Sequence, residues 1–256
     1  MSRLLFKIAF GVLAFGALFY FKSTIKEPSL MGNFDATKTI IVKYGSASPK
    51  HAVIWLHGLG ASANDFPPVV PHLGLNKNLN IRFIFPQAPE RAITINNGMS
   101  MPGWYDIKGP DLLDKEDLVG MLDSQSVLDT LIDEQIALGI ASENIIIAGF
   151  SQGGAVAYYA GIRSQHKLRG IMALSTYLSF QAQTKEEQSG VNVQTPILAM
   201  HGKMDPIVPF ATGIQSADFL KDLGYLVEWH AYDMDHTVII EQLKDIGTWI
   251  NKLVAK

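Results

Sequence analysis

The chain has 256 residues, of which 48% are hydrophobic and 18% charged, enough for one α/β domain with a short appendage. Its net charge of −3, without a clustered run of basic residues, excludes the surface that nucleic-acid binding needs. The absence of cysteine excludes disulfides, thiolate metal sites and a cysteine nucleophile.

The N-terminus carries an apolar run, residues 4–21, interrupted only by Lys7. It approaches the roughly 20 apolar residues of a membrane-spanning helix if Lys7 reaches the interface. A secretory signal also fits its length, although no small-residue cleavage site follows the run. Burial as a core helix is disfavoured because the run has no polar face. We expect residues 1–26 to form an uncleaved apolar helix that anchors the protein to a membrane. Its flanking charges orient it only weakly, and export after signal cleavage is the alternative.

From residue 27 onward, short β-rich runs alternate with amphipathic helical stretches. This pattern predicts an α/β domain, with a mostly parallel central sheet and helices on both faces. The predicted strands are Thr39–Lys43, Ala52–Leu56, Ile81–Phe85, Asn144–Ala148, Gly170–Leu174, Ile197–His201 and Val227–Tyr232. The predicted helices are Ser124–Leu138, Gly153–Arg163, Gly213–Leu223 and His236–Leu253. Residues 86–123 form a connection of the length typical of lids and binding loops.

A G-x-S-x-G sequence spans Gly149 to Gly153. Such a match alone is weak, because chance produces it in about one chain in ten of this length. Here it directly follows a predicted buried strand and precedes a predicted helix. That setting predicts a nucleophile elbow, in which Ser151 projects from the edge of the sheet. A serine that merely caps a helix in a glycine turn is the weaker interpretation.

A serine hydroxyl needs a neighbouring histidine as its base. In an elbow of this kind the histidine comes late in the chain, after the acid. His236 lies between the last predicted strand and the last helix, where a loop can carry it over Ser151. His230 falls inside a predicted strand and His201 at the end of one, which favours structural roles for both.

The acid is expected just beyond the strand that precedes the histidine. Asp205 occupies that position. Asp233 and Asp235 are rivals, but they share the loop of His236 and would struggle to reach its far nitrogen. Asp205 is therefore favoured as the group that orients His236 and stabilises its imidazolium form.

A tetrahedral intermediate also needs hydrogen-bond donors for its oxyanion. One is expected from the backbone N–H of Gln152, directly after the nucleophile. The other is expected from the loop that follows an early strand, here residues 57–62, and we nominate the N–H of Leu59. The glycines of this loop are also typical of an ordinary turn between a strand and a helix, and that interpretation does not exclude the role of a donor.

These pieces, in this order, resemble the acyl-protein thioesterase and carboxylesterase family of α/β-hydrolases, which is also grouped with phospholipases. The resemblance covers about residues 50–252. It rests on HGLG (57–60), FIFPQAP (83–89), GMSMPGWYDI (98–107), GFSQGG (149–154), GIMALS (170–175), HGKMDPIVP (201–209) and the DH pair (235–236).

The resemblance implies an α/β-hydrolase fold, with residues 27–256 as the catalytic domain. It implies hydrolysis of carboxylic esters or thioesters through an acyl-enzyme on Ser151, with Asp205 and His236 completing a triad. Neither a metal nor an organic cofactor is implied. The implied partner is an acyl ester or thioester, either a lipid or an acylated protein, and the oligomeric state stays open.

The family has an apolar channel near the nucleophile that receives an acyl chain. The matching positions here, besides Leu59, are Met101, Trp104, Tyr177 and Val208. Two features depart from the family, namely the apolar N-terminus and residues 61–64 after HGLG. Two alternatives to an esterase or thioesterase remain: a lysophospholipase acting on membrane lipids, and a catalytically silent binding protein of the same fold.

Overall fold

The structure is a computed structural model that describes residues 33–255. Its strands are β1 (Ile40–Tyr44), β2 (His51–Leu56), β3 (Ile81–Phe85), β4 (Glu90–Ile93), β5 (Met99–Pro102), β6 (Ile145–Phe150), β7 (Gly170–Leu174), β8 (Ile197–Gly202) and β9 (Val227–Tyr232). Its α-helices are α1 (Leu118–Ala137), α2 (Gln152–Arg163), α3 (Gln181–Glu187), α4 (Phe210–Asp222) and α5 (Ile240–Val254). Four short 3-10 helices are present at Ala36–Lys38, Pro67–His72, Thr94–Asn96 and Ser142–Asn144.

The central sheet has seven strands in the order β1-β3-β2-β6-β7-β8-β9. Only β1 runs antiparallel to its neighbour, and the other pairs are parallel. The carboxyl ends of the parallel strands therefore meet at one edge, where sites of open α/β sheets are built. Ile40, the first residue of β1, pairs with Phe85, the last residue of β3. The described chain thus enters the domain at this same edge.

Helices cover both faces of the sheet. Successive strand residues point to opposite faces, so each strand contributes side chains to two separate cores. Ile54 of β2 lies in a core with Leu128 of α1 and Val156 of α2. Its neighbour Trp55 lies in a second core with Ile246 of α5. The expectation of an α/β-hydrolase fold, with a mostly parallel sheet between helices, is confirmed.

The connection at residues 86–123 contains more structure than the sequence indicates. Strands β4 and β5 form a separate antiparallel hairpin. Residues 94–98 join the two strands, and Asn97 and Gly98 close this connection with positive φ (56° and 75°). Helix α1 begins at Leu118, six residues before the predicted start at Ser124. The prediction of one long loop was therefore wrong, because two four-residue strands, with only Ile93 buried, carry little apolar pattern.

The helix predicted to anchor the protein, residues 1–26, lies outside the described residues. Within residues 33–255, no helix combines the length and the apolar character that crossing a bilayer requires.

Candidate active site

Ser151 occupies a sharp turn between β6 and α2, with φ 53° and ψ −122°. A non-glycine residue adopts such a conformation only where its surroundings enforce it. A Cβ on Gly149 would lie 2.1 Å from the carbonyl oxygen of Gly153, so the turn closes only with glycine there. Strand β7 and the residues after it hold the serine from the other side. The Ser151 N–H donates to the Leu174 carbonyl (2.8 Å), and the Thr176 hydroxyl donates to the Ser151 carbonyl (2.7 Å).

Ser151, His236 and Asp205 form one hydrogen-bonded chain. The Ser151 Oγ lies 2.9 Å from His236 Nε2, and His236 Nδ1 lies 2.7 Å from Asp205 Oδ2. A carboxylate only accepts hydrogen bonds, so Nδ1 carries the proton and Nε2 is free to accept from the serine hydroxyl. Helix α5 begins only at Ile240, four residues later than predicted, which leaves His236 on a loop that reaches the serine.

Asp205 is held as a carboxylate by its surroundings. Burial would raise its pKa, but hydrogen bonds outweigh that effect and hold the pKa below its usual range. The donors are His236 and the backbone N–H groups of Ile207 (2.8 Å) and Val208 (2.9 Å). An ionised Asp205 can therefore stabilise a positive charge that develops on His236.

Within residues 33–255, none of the rival residues hydrogen bonds to Ser151 or His236, although His201 Nε2 lies 3.5 Å from Asp205 Oδ2. Asp233 forms an exposed ion pair with Lys203 (2.8 Å), and His230 bonds to Glu228 (2.8 Å) on the edge strand β9. His201 is buried, and burial lowers its pKa and keeps its ring neutral. The His201 Nε2 hydrogen bonds to the carbonyl of Val208 (2.9 Å), which holds the loop that carries Asp205.

A cavity of about 280 Å³ opens in front of Ser151. Its wall combines polar side chains with the apolar ones of Leu59, Phe66 and Val238, so an apolar group has a surface to contact beside the serine hydroxyl. Its lining residues are Gly58, Leu59, Ala61, Asp65, Phe66, Phe150, Ser151, His236, Thr237 and Val238.

Two backbone N–H groups, those of Leu59 and Gln152, have no acceptor among residues 33–255. Gln152 is the first residue of α2, where an N–H has no partner within the helix. Gly58, beside Leu59, brings its loop close to the nucleophile: an added Cβ would lie 3.4 Å from the Ser151 Cβ. Both predicted oxyanion donors thus belong to segments that adjoin Ser151, and their role stays a prediction.

His57 holds the loop that leads into Leu59. The buried ring accepts from the N–H of Ala88 at Nε2 (3.0 Å), so its Nδ1 donates to the carbonyl of Gly58 (2.7 Å). Burial lowers its pKa, which keeps the ring in this neutral form.

The structure does not place the four predicted channel residues in the lining of this cavity. Trp104, Tyr177 and Val208 are at most 3% exposed, so they offer no surface to an acyl chain in this conformation. Tyr177 bonds instead to the hydroxyl of Tyr105 (2.9 Å), and burial raises its pKa to about 12. Met101 is partly exposed on β5 and accepts from the Asn96 amide at Sδ (3.3 Å). Their role as acyl-binding residues stays a prediction.

Of the predicted channel positions, Leu59 lines the cavity, whereas sequence reasoning missed Phe66, Phe150 and Val238. Phe66 and Val238 belong to segments far apart in the chain, and no local pattern marks either of them. Phe150 directly precedes the nucleophile, and that position was a usable signal. Its ring lies 4.8 Å from that of His236, so it also supports the base.

Known proteins resemble this chain in sequence and in structure. The sequence profile of the Phospholipase/Carboxylesterase family matches residues 37–254. The acyl-protein thioesterase 1 of Gibberella zeae is 39% identical over 209 residues, which cover 78% of this chain and 89% of that protein. That of Saccharomyces cerevisiae is 35% identical over 213 residues, covering 80% and 94%.

Two solved structures share the architecture. Arabidopsis thaliana SOBER1 superposes with a TM-score of 0.75 at 32% identity, covering 79% of this chain and 98% of that one. Zea mays acyl-protein thioesterase 2 gives 0.75 at 25% identity, covering 84% and 98%. The chain therefore belongs to the phospholipase/carboxylesterase family.

Proposed function

We propose that this protein is a serine esterase that hydrolyses acyl thioesters and carboxylic esters, with acylated proteins as its main substrate class. The observation that carries the proposal is the hydrogen-bonded chain of Ser151, His236 and Asp205 at a cavity that is partly lined by apolar side chains. Relatives named acyl-protein thioesterase 1 support the thioester substrate.

In the first step the Ser151 Oγ attacks the acyl carbonyl carbon, and its proton passes to His236 Nε2 (2.9 Å away). Asp205 stabilises the imidazolium that forms. The oxyanion is placed against the N–H groups of Leu59 and Gln152. Removing one such donor typically lowers turnover on the order of 10²- to 10³-fold.

The intermediate then collapses, and His236 returns the proton to the leaving thiolate or alkoxide. The acyl group stays on Ser151 as an ester. Water attacks that ester, with His236 again taking the proton, and the carboxylic acid leaves as the serine is regenerated. The apolar wall around Phe66 and Val238 receives the part of the acyl chain next to the carbonyl.

The two alternatives are less well supported. A silent binding protein would need no complete set of nucleophile, base and acid, whereas all three are hydrogen-bonded here. A lysophospholipase would use the same machinery. No feature of the cavity favours a lipid headgroup, and the named relatives are thioesterases.

A fluorophosphonate probe tests the nucleophile. It should label the wild-type protein, while Ser151→Ala should remain unlabelled and inactive. Equal labelling of both proteins would contradict the proposal. The substrate class is tested by comparing kcat/KM for acyl thioesters, oxyesters and lysophospholipids of equal chain length. A preference for the lysophospholipid would favour the alternative.

We also propose that residues 1–26 anchor the catalytic domain to a membrane as an uncleaved segment. The apolar run at residues 4–21 supports this. So does the position of Ile40 at the carboxyl-terminal edge of the sheet, since an anchor there would hold the site close to the bilayer that carries acylated proteins.

The anchor is tested with the full chain carrying a different tag at each end. Both tags should remain with the membrane pellet after carbonate extraction, and protease access should report which side the domain occupies. Loss of the N-terminal tag would indicate signal cleavage, and recovery of both tags in the supernatant would contradict anchoring.

A further inference from the structure

Trp104 connects the two loops that carry the proposed oxyanion donors. Its side chain is fully buried (0% exposed), and its indole N–H donates to the carbonyl of His57 (2.8 Å), two residues before Leu59. Its backbone N–H donates to Oε1 of Gln152 (2.8 Å). One residue therefore bonds to both loops at once.

Neighbouring bonds stiffen this connection. The side-chain amide of Gln152 also donates to the carbonyl of Tyr105 (2.6 Å), so it binds the segment at two consecutive residues. The carbonyl of Pro102 accepts from the N–H of Gly60 (2.8 Å), on the far side of Leu59. Residues 102–105 are therefore hydrogen-bonded to this loop on both sides of Leu59, at His57 and at Gly60.

We propose that Trp104 is a positioning residue that sets the separation of the two oxyanion donors, the N–H groups of Leu59 and Gln152. The inference rests on the proposed function. The complete burial of Trp104 means that it acts through His57 and Gln152 rather than by touching the acyl chain. The oxyanion forms in the transition state and is absent from the bound substrate. Misplacing its hydrogen-bond donors therefore lowers kcat and leaves KM unchanged.

Trp104→Phe tests this role, since it removes the indole N–H and keeps an aromatic ring beside His57. We expect kcat to fall about 10- to 30-fold, because small misplacements of catalytic groups are costly, while KM changes by less than about twofold. The inhibition constant of a trifluoromethyl ketone, which forms a tetrahedral oxyanion on Ser151, should rise by the same factor as kcat/KM falls.

Trp55→Phe is the matched control. Trp55 is also buried (1% exposed), but its indole N–H has no acceptor among the described residues. The same chemical change there should leave kcat and the inhibition constant within about twofold of wild type, because no bond to an oxyanion loop is lost. If Trp104→Phe does not fold, the benzothiophene analogue of tryptophan at position 104 keeps the ring shape and removes only the N–H.

Two results would overturn the role of Trp104. One is a raised KM with unchanged kcat, which would show that the side chain contacts the acyl group. The other is unchanged kcat, KM and inhibitor affinity. Ser151→Ala separates this inference from the proposed function: hydrolysis that survives in Ser151→Ala contradicts the function itself. Ser151-dependent hydrolysis at the wild-type rate in Trp104→Phe contradicts only the positioning role.

Discussion

The catalytic residues and the cavity wall are held in different ways. Ser151, His236 and Asp205 stand on segments that follow strand ends, and hydrogen bonds fix each of them. The wall of the cavity, with Phe66 and Val238, is held by packing. The proposed chemistry therefore depends on backbone geometry, whereas the proposed acyl preference depends on side chains that could be exchanged without moving the sheet. Substitutions in the first group should change kcat, and substitutions in the second should change KM.

The largest effect is expected for Asp205→Asn. The amide cannot hold His236 in the correct tautomer or stabilise its imidazolium form, so kcat should fall by about 10⁴-fold. Steady-state hydrolysis of a thioester measures it. Asp233→Asn is the matched control, since that carboxylate is exposed and pairs with Lys203, and it should change kcat by less than about twofold. Equal losses in the two variants would mean that the acid was misassigned.

A smaller but still large loss is expected for Gly153→Ala. Its Cβ would lie 2.6 Å from the carbonyl oxygens of Leu56 and His57, which α2 must approach to close the elbow. The unfolding free energy should fall by about 1–3 kcal/mol, as for other overpacked sites, and kcat should fall with it. Urea denaturation and thioester hydrolysis measure the two. Gly109→Ala, where a Cβ meets no neighbour within 4 Å, should leave both unchanged.

Phe66→Leu tests the expectation that the cavity wall controls KM. Phe66 lines the cavity and stacks on Trp55 at 4.8 Å. Losing part of its apolar surface should raise KM for long acyl chains about fivefold, with kcat for a short acyl ester nearly unchanged. KM is measured across a series of chain lengths. Phe83→Leu removes the same atoms from the core away from the cavity, so its KM should match wild type; a parallel rise would show a general effect of core loosening.

The smallest effect concerns pH and stability. Burial lowers the pKa of His57 and of His201 in the folded protein. The unfolded chain takes up a proton at each near pH 6.5, where the folded protein does not. Stability should therefore be fully present well above that pH and decrease as the pH falls through it. Urea unfolding at pH 7.5 and 6.0 measures this. An identical unfolding free energy at the two pH values would mean that the fold does not lower the pKa of these rings.

Much of the sheet was predictable from the sequence. Strands β3, β7 and β9 coincide with their predicted bounds. Strands β3 and β7 carry the dense apolar runs of buried parallel strands, whereas β9 is a half-buried edge strand. The hairpin of β4 and β5 was not predictable, since its short strands are held by pairing and by bonds such as that from Thr94 to Asp106 (2.6 Å). Helix α3 was missed because its seven residues bury only Thr184.

Part of the candidate site was also predictable from the sequence. Ser151, Asp205 and His236 each sit in a local context that marks them, and the structure brings the three within hydrogen-bonding distance. Trp104 stands in a recognisable motif, but nothing local shows that it faces inward against His57 rather than toward the substrate.

The sequence by itself determined the type of fold, the nucleophile and the residues proposed to activate it, because strand patterns and a strand–turn–helix motif are local properties of the chain. Only the tertiary structure decided which apolar side chains surround Ser151 and which stay buried behind it. That choice depends on how loops separated by many residues pack over the edge of the sheet. Phe66 and Val238 meet at the cavity through such packing, and no local spacing encodes it.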